Sequence, residues 1–78
     1  MNTTPDQLKF NNIYVHLTQN YKSTMTKREV CEEIKLNSRA LDYRREKDEF
    51  PKNIKVGENN SKTIWSTYDI AWYIAYGI

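Results

Sequence analysis

The stretch that decides the fold is Met25–Pro51, MTKREVCEEIKLNSRALDYRREKDEFP. It holds two helix starts built on one plan. Thr26 with Glu29 makes a capping box, in which hydroxyl and carboxylate each take a backbone N–H that a helix start leaves unpaired. Met25 and Val30 sit on either side at the spacing of a hydrophobic staple. Asn37 is a second N-cap, and Leu36 with Leu41 repeats the staple. The first helix is expected over roughly Lys27–Lys35, with Val30, Cys31 and Ile34 on one face, and the second from near Ser38 to about Lys47. Only the turn around Lys35–Asn37 separates them, so the two short helices must cross, which is helix-turn-helix geometry. The glycine common in such turns is missing. Pro51 ends anything helical, because the residue before a proline is pushed towards extended backbone.

Working outward, Asn53–Val56 reads as a strand, Gly57–Lys62 as a turn and Thr63–Trp65 as the return strand. Gly57, Asn59 and Asn60 supply residues that tolerate positive φ, as a tight hairpin requires. A third helix start follows, with Ser66 and Asp69 as capping box and Trp65 with Ile70 as staple. That helix should cover about Thr67–Tyr76, with Ile70, Tyr73 and Ile74 on one stripe and Gly77 as its stop. Upstream, Thr4, Pro5 and Gln7 make a helix start, and Phe10, Ile13, Tyr14, Leu17 and Tyr21 follow helical spacing. NIYVHL, residues 12–17, is also β-branched enough for a strand, but a helix is the expectation. The expected core is Val30, Ile34, Leu41, Phe50, Trp65, Ile70 and Ile74. The fold class is α+β, mostly helical: a winged helix-turn-helix over residues 25–78, preceded by a helical extension over residues 1–24.

Size and composition bound the rest. A chain of 78 residues is a single domain with little surface to bury, and its two Trp, two Phe and six Tyr argue for a folded one. A lone cysteine, Cys31, excludes an internal disulfide and fits a reducing compartment. No apolar run is long enough for a membrane span and no signal-peptide pattern opens the chain, so a cytoplasmic location is expected. Net charge is only +2, yet every basic residue except Lys9 falls between Lys22 and Lys62. The last sixteen residues carry one charge, Asp69. A basic middle over an aromatic C-terminus suggests a contact face over a buried anchor; a plain solvated surface is the alternative.

The segment TKREVCEEIKLNSRALDYRREKDEFPKNIKVG, followed by IWSTYDIAWYI, resembles the AlpA-type phage and prophage regulators, grouped with excisionases and MerR-like winged helices. The resemblance runs over about Met25–Ile74. It is carried by the T-K-x-E-V opening, the leucine-led start of the second helix, then E-F-P-K, I-K-V-G and a tryptophan with an acidic-Ile pair behind it. Three departures stand out: Asp48 where a glycine usually precedes the aromatic-proline pair, Arg45 where an apolar residue is usual, and a longer wing with Lys62 in place of arginine.

The resemblance implies that the second helix enters the major groove and the wing lies on the backbone or in the minor groove. Ser38, Arg39, Asp42 and Tyr43 lie at the start of that helix, from where base edges are reached. Arg39 is the best base reader, since its planar fork can bond guanine at two points. Arg44 and Arg45, with Lys52, Lys55 and Lys62 of the wing and the tip residues Asn59 and Asn60, complete the expected DNA contacts. Asp42, Glu46, Asp48 and Glu49 oppose such contacts unless they serve as salt-bridge partners on the far side of the helix.

Other chemistry is poorly supported by the residues. His16 stands alone, no cysteine–histidine set has metal-ligand spacing, and no phosphate loop or nucleophile elbow appears. Neither an enzyme, a small-molecule substrate nor a cofactor is expected. Trp65, Trp72, Tyr73 and Tyr76 could stack on bases, but core packing is the simpler use. The expected function is sequence-specific binding of double-stranded DNA, as an excisionase or a transcriptional regulator of phage or mobile-element origin. One recognition helix covers few base pairs, so an integrase or further copies side by side would be needed. Tyr76, Ile78 or the N-terminal helix could make that contact. The competing reading is a protein-interaction module that binds a host regulator or polymerase component.

Overall fold

The computed structural model describes residues 5–60 and 62–77, with the side chains of residues 5, 6 and 60 outside that description. Thr4, Ile78 and the side chain of Asn60, all named above, therefore lie outside the described residues. The elements run α1 (Pro5–Asn20), β1 (Thr24–Thr26), α2 (Lys27–Ile34), α3 (Ser38–Glu46), β2 (Ile54–Val56), a 3₁₀ turn (Glu58–Asn60), β3 (Lys62–Ser66) and α4 (Thr67–Tyr76). The architecture is α+β and mostly helical, with four helices and one antiparallel sheet among the described residues.

Two of the three helix starts form as their residues dictate. Thr26 Oγ1 accepts from the Glu29 N–H at 3.2 Å, and Glu29 Oε1 accepts from the Thr26 N–H at 2.9 Å, closing the capping box. Asn37 Oδ1 accepts from the Ala40 N–H at 2.7 Å. Between them, α2 ends on Lys35 at φ 61° and ψ 37°, so a lysine takes the left-handed position that glycine usually fills. Asp48, behind α3, likewise has φ 55°. Both positions where a glycine was missed in the sequence are thus left-handed turns occupied by other residues.

The third start differs from expectation. Ser66 occupies the N-cap position of α4 but makes no side-chain cap bond. The reason is that Ser66 is also the last residue of β3, paired across the sheet with Thr24. The free N–H of Thr67 goes instead to the Ser23 carbonyl at 2.9 Å, and the buried Thr67 hydroxyl donates to the Lys22 carbonyl at 2.6 Å. The expected Ser66–Asp69 box is therefore replaced by a tether from α4 back to the segment before β1.

That segment also corrects the sheet. The expected two-stranded wing is part of a three-stranded sheet in the order β1-β3-β2. Thr24 faces Ser66, Met25 faces Trp65 and Thr26 faces Ile64 on one side; Ile54 faces Ile64, Lys55 faces Thr63 and Val56 faces Lys62 on the other. Three residues are too few to show an alternating pattern, which is why β1 leaves no sequence signal. At the hairpin tip Gly57 and Asn59 take positive φ, 87° and 57°.

The core gathers Val30, Leu41, Phe50, Trp65 and Ile70, as expected, together with Phe10, Leu17, Met25 and Ala71. Ile34 and Ile74 correct the expectation: they are half-buried and pack against the core from a groove described below. Trp65 is fully buried, donates Nε1–H to the Pro51 carbonyl at 2.9 Å and meets the Phe50 ring edge-on at 5.7 Å. A buried side chain of this size contributes on the order of 3 kcal/mol. Helix α1 joins the same core. Phe10 stands at the centre of an aromatic cluster with Tyr14, Tyr68, Trp72 and Tyr76, at centroid distances of 5.1–6.3 Å. Tyr76 thus packs against the core, whereas Trp72, though in ring contact with Phe10, stays 40% exposed. The far end of α1 is tied to α2 through Glu33, whose Oε1 lies 3.2 Å from His16 Nε2 and whose Oε2 accepts from the Tyr21 hydroxyl at 3.0 Å. No helix among the described residues is long and apolar enough to cross a membrane.

Candidate nucleic-acid interface

An α-helix turns about 100° per residue, so the buried Leu41 fixes what the rest of α3 presents. Arg39 and Tyr43 stand about 160° from Leu41 and face outward, while Arg44 and Arg45 lie within about 60° of it and face inward. Burial agrees: Ser38, Arg39, Tyr43, Glu46 and Lys47 are exposed, and Arg44 and Arg45 half-buried.

Arg39 has no hydrogen bond or ion pair among the described residues and is open to a ligand. Tyr43 is 58% exposed, with Lys47 Nζ over its ring at 5.1 Å. This cation–π pair, between the helix and its C-cap residue, joins the outer face without having been anticipated. Its spacing of four residues was the available signal. Glu46 shares the face, so its charge is mixed rather than uniformly basic.

The inward arginines have other partners. Arg45 donates to Asp42 Oδ1 at 3.1 Å and Asn53 Oδ1 at 3.2 Å, and its guanidinium lies 5.4 Å from the Trp65 ring centre. A planar cation over an indole fills the place where an apolar residue was expected. It also clamps α3 to the chain leading into β2. Arg44 donates to the Tyr73 hydroxyl of α4. Asp42 bridges helices: Lys27 Nζ of α2 lies 2.8 Å from Oδ1 and 2.9 Å from Oδ2. The Lys27 hydrogen bond and charge, helped by Arg45, hold the Asp42 carboxyl below the usual carboxylate range against the opposing pull of desolvation. Asp42, Arg44 and Arg45 are therefore occupied within the fold, and Lys27 and Asn53 are their unforeseen partners. Elsewhere, burial and the neighbouring Glu33 raise the Tyr21 phenol above its ordinary 10.0.

The expected wing residues do not form one patch. Side chains alternate across a strand, and cross-strand partners share a face. Lys55 therefore shares one face with Thr63, to whose hydroxyl it donates at 3.2 Å, while Lys62 shares the opposite face with Val56. Lys52 lies outside the strands, exposed, 3.3 Å from Asp48. Asn59 is exposed at the tip. The face of Lys62 also carries Ile54, 45% exposed, beside Ile64.

No protein-family profile, no curated protein and no solved structure matches this chain.

Proposed function

We propose that this chain is a winged helix-turn-helix protein that binds double-stranded DNA, with α3 in the major groove and the β2–β3 hairpin as the wing. The order helix, strand, helix, short turn, helix, hairpin, helix supports that architecture. The observation that carries the functional reading is the outer face of α3, where Arg39, exposed and without a partner among the described residues, stands with exposed Tyr43, and Ser38 is exposed at the helix start. An unpaired guanidinium at the start of such a helix suits a two-point bond to guanine. Lys62, also without a partner among the described residues, suits a phosphate contact from the wing. The residue resemblance to AlpA-type regulators and excisionases extends the proposal to a phage or mobile-element protein. In that role it would act in excision or transcription, alongside an integrase or further copies of itself.

Fluorescence anisotropy on DNA from upstream and attachment-site regions, measured over a salt series, tests the reading. Affinity should fall by about 0.9 log units per log unit of salt for each phosphate contacted. Arg39→Ala should relax sequence preference, at a cost of about 1–3 kcal/mol on the preferred site. Lys62→Ala should weaken all DNA alike and lower the salt slope by about one unit. Absence of binding at low salt would refute the proposal.

A further inference from the structure

A groove of about 590 Å³ lies between α1, α2 and the C-terminal half of α4, open to solvent along one side. Its floor is aliphatic: Ile13, Ile34, Leu36 and Ile74. Its polar groups stand at two ends. At one, His16 and Glu33 pair across the α1–α2 junction, Glu33 being held also by Tyr21 from outside the groove. At the other stands Arg44, half-buried and bonded to the Tyr73 hydroxyl. Among the described residues no carboxylate forms an ion pair with Arg44. Past Arg44 and Tyr73 the groove continues into a second depression of about 800 Å³, bordered by Asn37, Arg39, Tyr43 and Glu49, the last without an ion pair among the described residues.

A half-buried guanidinium has given up part of its hydration and bonds a carboxylate at two points more strongly than a hydroxyl. Beside it, four half-buried aliphatic side chains, three of them backed by the core, leave part of their surface to the trough. An open trough would leave a small molecule largely in water, whereas a peptide chain can lie along it and lower its side chains into the floor. We propose that this groove docks a peptide segment of a partner protein. Aliphatic side chains of the segment rest on Ile13, Ile34, Leu36 and Ile74, and a carboxylate pairs with Arg44. The groove adjoins the outer face of α3 through the depression bordered by Arg39 and Tyr43, but its aliphatic floor and Arg44 take no part in the DNA reading, so the two are tested separately.

The test is a titration of the isotopically labelled full chain with three synthetic peptides of one length and one Leu/Ala pattern. They differ only in carrying Glu, Ser or Lys at the same places, and amide shifts are followed by NMR. The Glu peptide should shift the amides of Ile13, Ile34, Leu36 and Ile74 and bind about tenfold more tightly than the Ser peptide, with the Lys peptide weakest. Arg44→Glu should invert that order, and a gain for the Lys peptide is something a misfolded variant cannot give. The proposal is overturned if no peptide shifts the groove amides, or if the order survives Arg44→Glu. It is equally overturned if shifts are confined to Ser38, Arg39 and Tyr43, marking the peptide as a polyanion on the outer face of α3. Octanoate shifting the groove amides where no peptide does would assign the groove to a small amphiphile instead.

Discussion

Thr67 and Ser66 are adjacent, chemically alike and differently used, and this makes the α4 start a sharp test of the structure. If local capping ruled, Ser66→Ala would cost about 1 kcal/mol and Thr67 would be an ordinary first-turn residue. In the fold Ser66 makes no cap bond, whereas the Thr67 hydroxyl is buried and donates to the Lys22 carbonyl at 2.6 Å. Thr67→Val keeps the branched shape and the χ1 restriction but removes that donor. The bond itself contributes about 1 kcal/mol, and an acceptor left without a partner adds about 1–3 kcal/mol when fully buried. Lys22 is an exposed residue, so water can recover part of the second contribution. We therefore expect a loss of about 1.5 kcal/mol, which for a domain of this size lowers Tm by roughly 6–12 °C. Ser66→Ala should stay within about 0.5 kcal/mol of the parent. Urea and thermal unfolding followed by tryptophan fluorescence and far-UV circular dichroism would measure both, given coincident transitions. Equal losses in the two variants, or a larger loss from Ser66→Ala, would refute the assignment of the tether to Thr67.

Thr26→Ala removes the hydroxyl half of an intact capping box, leaving the backbone N–H at position 26 bonded to Glu29, and should cost about 1 kcal/mol in the same unfolding experiment. Lys35→Gly should instead stabilise the chain. Relief of left-handed strain is worth about 1–2 kcal/mol, and the added freedom of the unfolded chain takes back about 0.5–1 kcal/mol. Asp48→Gly should gain less, because aspartate tolerates that conformation better. Asp42 has a lowered folded-state pKa, so its contribution is present above its ordinary value of 3.8 and disappears as pH falls through the lowered value. Asp42→Asn should flatten that part of the acid unfolding profile, and an unchanged profile would argue against the Lys27–Asp42 bridge. The sign is opposite for Tyr21. Its raised phenol contributes stability below pH 10.0 that is lost as pH rises through the raised value, and Tyr21→Phe should remove that alkaline loss.

Much of the candidate site was legible from helix geometry. Leu41 had to be buried, and the turn of the helix then sends Arg39 and Tyr43 to the outside. The same geometry turned Arg44 and Arg45 inward, but their positive charge suggested phosphate. What redirected them was the Tyr73 hydroxyl and the Trp65 indole, residues 29 and 20 positions away in the chain. Likewise the wing lysines looked like one group until the pairing register put Lys55 and Lys62 on opposite faces. Register is a relation between two strands, and neither strand carries it alone.

Where the deciding atoms lie within four residues of each other, the sequence by itself determined the outcome. The capping box at Thr26, the Asn37 cap, the break at Pro51 and the positive φ at Gly57 and Asn59 all belong to that class. Only the tertiary structure decided the rest: the third strand, the tether at Thr67, the Lys27–Asp42 bridge and the packing of α1 against α4. Each of these depends on groups far apart in the chain that meet only after the core has closed. Met25 and Trp65, forty positions apart, become opposite partners in one sheet, and that pairing takes Ser66 from its cap.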